Sequence, residues 1–280
     1  MSALERELSV ARAAGRRAAE AVMTIYGTDF AVAFKDAAHD DPVTAADRQA
    51  NAIIVDAIHA AFPDDFIVAE ESAIPSGFER GRRCWFVDPL DGTKEFVAKN
   101  GEFCVMIGLA VDGRAALGVV VVPALDGGYL LEGRVGVGAT LDDARGIRSV
   151  HVTAESEASR ARVVVSRSRR PPLLDAVFAE LGAPREVACG SVGVKIGKLV
   201  TGDADAYLHP ASARRDGGSK RWDVCAPEAI VVAAGGAFTD GLGNPIDYAS
   251  PDVVNRDGLV VSNGVLHARL LQAIANAHAK

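Results

Sequence analysis

The segment 85–96, with the sequence WFVDPLDGTKEF, constrains this chain most, because an apolar run ends there in two carboxylates. Asp88 and Asp91 stand three positions apart, and acids held this close repel each other unless a cation lies between them. The pattern therefore predicts a buried strand that ends at a site for a hard divalent metal. Gly92 and Thr93 follow as the start of a helix, whose unpaired N–H groups suit a phosphate.

Metal on one side and an anion cradle on the other indicate phosphoryl transfer or hydrolysis. The same letters are also typical of a plain surface turn, since Asp, Pro and Gly each favour turns. The remaining segments of the chain must decide between these two interpretations.

Composition excludes several classes of function. The chain has 280 residues and a formal net charge of −7, which argues against a general nucleic-acid binder. We expect no signal peptide and no membrane span, because the N-terminus lacks an apolar core and no apolar run is long enough. The four cysteines are scattered, which favours reduced thiols and a cytoplasmic location; they are Cys84, Cys104, Cys189 and Cys225.

The first half predicts helices packed on a largely antiparallel sheet. Apolar residues at helical spacing predict helices over 4–26 and 44–62, the second capped by Thr44. A turn at Asp112-Gly113 joins two of the strands as a hairpin. The predicted strands are 66–69, 84–88, 103–111, 115–122, 129–132 and 135–139.

The second half alternates strands and helices, which is typical of an α/β domain. We place the boundary at the polar connector 154–159, which gives a metal and phosphate domain over 1–153 and a substrate domain over 154–280. Gly235-Gly236 would end a helix that Asp223 begins. The predicted elements are strands 162–165, 206–208 and 259–262, and helices 173–181, 191–200, 224–234 and 265–278.

Further carboxylates stand at predicted strand ends and helix starts. Glu70 and Glu71 follow one strand, while Asp47 and Asp223 lie in the first turns of two helices. Taken singly, Asp47 and Asp223 could simply complement helix dipoles, and Glu71 could be solvated. Together with Asp88, however, they supply the oxygen-rich, thiolate-free set that Mg²⁺ prefers. No His or Cys grouping has the spacing of a zinc site.

Order and spacing of four segments over nearly the whole chain resemble the inositol monophosphatase superfamily of Mg²⁺-dependent, lithium-sensitive phosphatases. The resemblance implies a layered αβαβα sandwich of the sugar-phosphatase type, with the site in the cleft between the two halves. The matching segments are Asp41-Pro42-Val43-Thr44-Ala45-Ala46-Asp47, Glu70-Glu71-Ser72, Asp88-Pro89-Leu90-Asp91-Gly92-Thr93, and Trp222-Asp223 with Ala233-Ala234-Gly235-Gly236.

Within the superfamily, the chain is similar to the 3′(2′),5′-bisphosphate nucleotidase branch of CysQ type. Lys94-Glu95 stands where inositol enzymes usually have Thr-Asn, and the segment 100–103 (NGEF) also fits that branch. Lys195 stands where inositol enzymes tend to have Asn, and a lysine suits a second phosphate on the substrate. Lys195 could equally be a surface lysine that extends its stem along an apolar helix.

Two features depart from the nucleotidase pattern. Many members of that branch have a histidine where Arg169 follows Ser166-Arg167-Ser168, and some have an arginine near His209. Arg167, Arg169 and Arg170 could form a compensating basic cluster, although a solvated turn is the favoured interpretation. These departures bear on the nucleotide and leave the metal chemistry untouched.

The resemblance implies a role for each matching residue. Gly92 and Thr93 would bind the scissile phosphate by backbone amides, Asp47 and Thr93 would orient the attacking water, and Glu70 would act as base or base relay. Substrate would also contact Asp91, Gly190, Ser191, Lys195 and Asp223. Two or three Mg²⁺ ions would be held by Glu70, Asp88, the Leu90 carbonyl, Asp91 and Asp223.

The implied reaction is hydrolysis of adenosine 3′,5′-bisphosphate (PAP) to AMP and phosphate, without a covalent phosphoenzyme. PAPS is a further candidate substrate. Such an activity would serve sulfur metabolism. The alternatives are an inositol-1-monophosphatase or broad sugar monophosphatase, and a catalytically silent metal- or nucleotide-binding protein. The only partner implied is a small phosphorylated molecule, with a homodimer left open because relatives of this family are often dimers.

Overall fold

The computed structural model of the protein describes residues 4–34, 42–168, 170–211 and 218–279, without the side chains of Pro42 and Arg80. The α-helices of these ranges are α1 (Glu5–Tyr26), α2 (Ala45–Ala61), α3 (Thr93–Val97), α4 (Leu173–Leu181), α5 (Val192–Val200), α6 (Arg221–Ala233) and α7 (His267–His278). Two short 3₁₀ helices, Phe78–Arg80 and Ala158–Arg160, accompany them.

Sixteen strands are formed by the same ranges. The first nine are β1 (Ala33–Phe34), β2 (Pro42–Val43), β3 (Phe66–Ala69), β4 (Arg83–Asp91), β5 (Cys104–Val111), β6 (Arg114–Val122), β7 (Tyr129–Arg134), β8 (Gly138–Asp143) and β9 (Gly146–Val150). The others are β10 (Arg162–Ser166), β11 (Arg185–Cys189), β12 (Ala206–Pro210), β13 (Ser219–Lys220), β14 (Ala237–Asp240), β15 (Val254–Asn255) and β16 (Gly258–Ser262).

The larger sheet has seven strands in the order β3-β4-β5-β6-β7-β8-β9. Only the β3–β4 pair is parallel, so the sheet is the largely antiparallel meander that the sequence predicts. One face packs on α1 and α2, and the other faces α5 and α6. Because both faces are covered, the central strands are buried along almost their whole length.

The smaller sheet has the order β11-β10-β12-β16-β14. The pairs of β10 with β11 and β12 are parallel, while β16 runs antiparallel to both of its neighbours. Its inner face shares the core with α5 and α6, and its outer face packs on α4 and α7. The resulting order of layers is helix, sheet, helix, sheet, helix, which confirms the predicted αβαβα sandwich.

Most predicted elements are present, and three of the missed strands have a common cause. Strands β9, β11 and β14 all lie at sheet edges. An edge strand buries little on one or both faces, so β9 and β11 are mostly exposed and lack the apolar alternation used to predict strands. The strand predicted over 135–139 was placed too early, because residues 135–137 form the turn between β7 and β8, and β8 begins at Gly138.

Two further predictions concern the whole chain. No helix of the described ranges is long and apolar enough to cross a membrane. The division at residue 153 stays a prediction: residues 151–157 have no regular secondary structure, yet α5 and α6 from the second half pack against the first sheet.

Candidate active site

The end of β4 delivers two carboxylates to a cleft between the sheets. Its register against β5 shifts between Asp88 and Asp91, so β4 carries one extra residue there. Pro89 lies within this bulge, where the missing backbone N–H removes no ladder hydrogen bond. The backbone N–H of Leu90 donates to Asp88 Oδ1 at 3.0 Å, which fixes the buried Asp88 carboxylate.

Gly92 allows the chain to turn from β4 into the short helix α3. Its φ of +92° lies in the left-handed region that side chains disfavour. A Cβ at this position would lie 2.8 Å from the Glu102 carbonyl oxygen and 3.2 Å from Ser191 Cβ. Only glycine therefore fits between the two halves of the molecule at this point.

Thr93 begins α3 and connects it with the start of α2. Its hydroxyl lies 3.2 Å from both Asp47 Oδ1 and the Leu90 carbonyl oxygen. Asp47 Oδ2 in turn accepts 2.7 Å hydrogen bonds from the backbone N–H and the hydroxyl of Thr44, which is the predicted cap of α2. Burial raises the pKa of Asp47, and the bonds from Thr44 oppose this effect. Asp47 thus lies behind Thr93 and outside the cleft lining.

Asp223 enters from the second half of the chain. It is the third residue of α6, which begins at Arg221, three residues before the predicted start at 224, and its Oδ2 accepts from the Lys220 backbone N–H at 2.7 Å. Strand β13 lies directly before this helix in the chain, and its antiparallel pairing with β15 fixes the start of the helix. The Asp223 carboxylate therefore lies where it complements the dipole of α6, and it also lines the cleft.

Glu70 follows β3, whose parallel pairing with β4 brings both strand ends to the same edge of the sheet. Its backbone N–H donates to the Val87 carbonyl at 3.1 Å, and its side chain lines the cleft. The neighbouring Glu71 does not line the cleft. Its charge acts instead on Asp47, whose pKa it helps to raise.

The cleft has a volume of about 240 Å³ and contains most of the predicted site residues. One wall comes from the first half of the chain and the other from the second half. The predicted site residues that line the cleft are Glu70, Asp88, Leu90, Asp91, Gly92, Thr93, Gly190, Ser191, Lys195 and Asp223.

The carboxylates at this edge repel one another. Burial raises the pKa of Asp88 well above its ordinary value, and the charges of Glu70, Asp91 and Asp223 raise it further. Burial and Glu70 likewise raise the pKa of Asp223 to about 8. A divalent cation would relieve this repulsion.

The chemistry of these donors fits a hard cation such as Mg²⁺, because the acidic groups and the Leu90 carbonyl supply oxygen alone. Within the described ranges, no group of three or more acidic, histidine or cysteine side chains is already placed to hold a metal ion. Asp91 and Asp223 each direct one oxygen at donors within the protein. An ion would therefore have to draw these carboxylates together.

Asp91 also joins the two halves of the molecule. Its Oδ2 accepts hydrogen bonds from Ser191 Oγ at 2.6 Å and from the Gly193 backbone N–H at 2.9 Å, both at the start of α5. Ser191 caps this helix with a φ of +40°, an unfavourable backbone conformation for a residue with a side chain. The position is held by its surroundings, and Gly92 packs against it from the other side.

Lys195 is buried, with 4 % of its surface exposed, and its ammonium lies 5.2 Å from the centre of the Tyr207 ring. Burial lowers the pKa of Lys195, and the charges of Asp91, Glu95 and Glu102 oppose this effect. The interpretation as an exposed surface lysine was therefore wrong. Lys195 is an internal cation that lines the cleft and faces several acids.

Some cleft residues were not singled out from the sequence. Glu95 was noted only as part of a family motif, yet it is buried in the lining and a Cβ on Gly190 would lie 2.3 Å from its Cγ. Glu102 lies outside the lining and was noted in the same way, although its side chain bonds two residues of the second half. The remaining lining residues that were not predicted as site residues are Lys94, Ser166, Ser168, Val192, Tyr207, Gly218 and Ser219.

The departures from the nucleotidase pattern have different outcomes. His209 lines the cleft, and Arg169 lies outside the described residues. Arg167 pairs with Glu102 at 2.6 Å, and Arg170 bonds two carboxylates on the surface. Both arginines are about half exposed and neither lines the cleft, which agrees better with the favoured interpretation of a solvated surface turn than with a basic cluster at the site.

Comparison with known proteins places the chain among phosphatases. The model of the inositol monophosphatase family matches residues 3–279. The 3′(2′),5′-bisphosphate nucleotidase CysQ of Escherichia coli strain K12 is 34 % identical over 88 % of this chain and 96 % of its own. The histidinol-phosphatase of Chlorobaculum parvum is 35 % identical over 85 % of both chains.

Solved structures agree. The crystal structure of CysQ from Bacteroides thetaiotaomicron superposes with a TM-score of 0.75 and 27 % identity, over 94 % of this chain and 98 % of that one. These matches confirm the predicted superfamily and the prediction of a phosphatase. With its αβαβα layers and a family match over nearly its whole length, the chain belongs to the inositol monophosphatase family.

Proposed function

We propose that the chain is a Mg²⁺-dependent phosphomonoesterase that hydrolyses adenosine 3′,5′-bisphosphate to AMP and phosphate, with PAPS as a further candidate substrate. The observation that carries this proposal is the convergence of four acidic side chains on the cleft that also exposes the start of α3. They are Glu70, Asp88, Asp91 and Asp223.

These four carboxylates and the Leu90 carbonyl are the proposed ligands, for two or three ions. Mg²⁺ held there would lower the pKa of a water molecule to near neutrality and stabilise the leaving oxygen of the substrate. The Gly92 and Thr93 backbone amides would bind the scissile phosphate at the start of α3. Asp91 and Asp223 would face substrate as well as metal.

Thr93 and Asp47 are the proposed orienting pair for the attacking water. The Thr93 hydroxyl has its proton directed at Asp47 Oδ1 and the Leu90 carbonyl oxygen, each 3.2 Å away. Its lone pairs therefore remain to accept a hydrogen bond from a water molecule in the cleft. Glu70, on the same edge, would take the proton from that water. Side-chain nucleophiles are not needed, so no covalent phosphoenzyme is proposed.

Lys195 supports a substrate with a second phosphate. It lines the cleft from α5 together with Gly190 and Ser191, and it brings a positive charge to a wall otherwise rich in acids. The nucleotidase CysQ relatives, matched over most of their length, support the same substrate class.

A monophosphate substrate is the second candidate. The relative named histidinol-phosphatase is about as similar to this chain as the nucleotidases are. The Lys195 ammonium also faces Glu95 and Asp91, so part of its charge is already balanced within the protein. Inositol and sugar monophosphates therefore remain competing substrates.

The proposal is tested by phosphate release from adenosine 3′,5′-bisphosphate with stepwise removal and return of metal. We expect no release in EDTA, full release after excess Mg²⁺ is added, and little release when Ca²⁺ replaces Mg²⁺. Release that continues in EDTA would contradict the proposed chemistry. The absence of release from any phosphate ester at saturating Mg²⁺ would favour a silent binding protein.

A further inference from the structure

Glu102 ties the first half of the molecule to the second. It lies between α3 and β5, and its two carboxylate oxygens have different partners. Oε1 accepts from Arg167 Nη2 at 2.6 Å, and Oε2 accepts from the Gly190 backbone N–H at 2.6 Å. Because these residues follow the neighbouring strands β10 and β11, one side chain holds the ends of both.

The Gly190 contact leads directly to Asp91. Gly190 precedes Ser191, whose hydroxyl donates to Asp91 Oδ2 at 2.6 Å. Gly190 also cannot shift toward α3, because its Cα already packs against the Glu95 side chain. The turn that presents Ser191 to Asp91 is thus fixed by Glu95 on one side and by the hydrogen bond to Glu102 on the other.

We propose that Glu102 is a positioning residue for Asp91 and acts through the turn at Gly190-Ser191, an inference that rests on the proposed metal-dependent function. Ser191 holds an unfavourable φ of +40°, and such conformations persist only where the surroundings enforce them. Without Glu102, the Gly190 N–H loses its acceptor and the turn can relax. Asp91 then loses the Ser191 hydroxyl as a donor, and with it part of what orients its carboxylate.

A structural ion pair with no link to the site is the competing explanation, and the chain offers a matched control. Glu132 is 13 % exposed and pairs with Arg12 at 2.7 Å, compared with 15 % and 2.6 Å for Glu102 and Arg167. Glu132 lies in β7, and neither it nor Arg12 lines the cleft. Loss of either glutamate removes one ion pair of the same kind.

The test is Mg²⁺ binding measured by calorimetry in the absence of substrate. We expect Glu102→Ala to weaken binding at least tenfold, the range typical of groups that orient metal ligands. Glu102→Gln keeps an oxygen for the Gly190 N–H and should weaken binding less than about threefold, while Glu132→Ala should bind as the wild type does. Equal losses in the Ala and Gln variants of Glu102 would overturn the proposal, since charge alone would then explain them.

A double-mutant cycle of the Mg²⁺ affinity distinguishes a positioning role of Glu102 from a merely structural one. Ser191→Ala should weaken Mg²⁺ binding, and adding Glu102→Ala should weaken it no further, because both residues act on Asp91 through one turn. Additive losses would overturn the proposal. Circular dichroism monitors folding, and Glu102→Gln keeps the test decisive if the alanine variant unfolds.

Failure of the proposed function and failure of the proposed role of Glu102 give different experimental results. A wild-type protein that neither binds Mg²⁺ nor releases phosphate contradicts the proposed function. Normal Mg²⁺ binding by both the wild type and Glu102→Ala contradicts only the role of Glu102.

Discussion

The ammonium of Lys195 lies 5.2 Å from the centre of the Tyr207 ring, on a side chain that is almost fully buried. A cation over an aromatic face in a desolvated place is held more firmly than a lysine in water. Its location in the cleft wall makes it a fixed positive charge, which is the property a second phosphate on the substrate requires.

Lys195→Ala should therefore raise the KM for bisphosphates by about tenfold or more, with a much smaller effect on monophosphates, because a charge-assisted contact is lost only with the former. The measurement is steady-state phosphate release from both classes of substrate. Lys198→Ala, on the same helix but outside the cleft lining, is the control and should leave both KM values unchanged. Equal effects of Lys195→Ala on the two classes would remove it from the second-phosphate site.

Asp88→Asn and Asp223→Asn should each abolish hydrolysis while the fold is kept. Each change removes an ionisable group from acids that repel one another. Above about pH 8, where Asp223 is ionised, the melting temperature of the metal-free protein should therefore rise. Thermal unfolding in EDTA and phosphate release at saturating Mg²⁺ check both statements. Retained turnover in either variant would remove that residue from the metal ligands.

Gly92→Ala should abolish activity and lower the stability of the fold by about 1–3 kcal/mol. The new Cβ would meet the Glu102 carbonyl at 2.8 Å in a backbone conformation that favours glycine. Gly136→Ala is the matched control, with a φ of +78° but no atom within 4 Å of the added Cβ. It should lose some stability and keep its activity. Comparable activity losses in both variants would mean that strain in general, and not the approach at Gly92, disturbs the site.

Glu228 should contribute a fall in the stability of the protein as the pH rises from about 4.5 to 7. Burial raises the pKa of this carboxyl to about 7, and a 2.6 Å hydrogen bond from the Tyr248 hydroxyl opposes the rise. Between its ordinary pKa and about 7 the unfolded chain has released the proton that the folded protein keeps, so ionisation favours unfolding, by about 3 kcal/mol once complete.

Glu228→Gln should remove that part of the pH dependence, measured as the free energy of unfolding in urea at pH 4.5, 6 and 8. Tyr248→Phe removes the hydrogen bond that opposes the rise, so its stability should fall more steeply toward pH 8. A pH profile of Glu228→Gln that parallels the wild type would show that other groups account for the slope.

Local patterns predicted the parts of the site that one segment contains. The strand end with Asp88 and Asp91, the turn at Gly92 and the cap at Thr44 all follow from neighbouring residues, and each lies where expected. The place of Asp47 behind Thr93 could not be predicted in this way, since the two residues are 46 positions apart.

Contacts between the two halves were the least predictable. Glu102 meets Gly190 across 88 positions, and nothing near Glu102 in the sequence indicates an unsatisfied backbone N–H there. The environment of Lys195 was unpredictable for the same reason. Its helix could be predicted, but its burial against Tyr207 depends on how α5 packs between the sheets. Edge strands such as β11 were missed because their exposed side chains carry little apolar signal.

The proposed bisphosphate substrate is tested by measuring phosphate release by the wild type from adenosine 3′,5′-bisphosphate, inositol 1-phosphate and histidinol phosphate in parallel. Each reaction contains Mg²⁺ and is run with and without Li⁺. We expect a kcat/KM for the bisphosphate at least tenfold above the values for the other two, and loss of that activity in Li⁺. A preference for either monophosphate would contradict the proposed substrate, and would show that Lys195 serves to balance Glu95 and Asp91 within the protein.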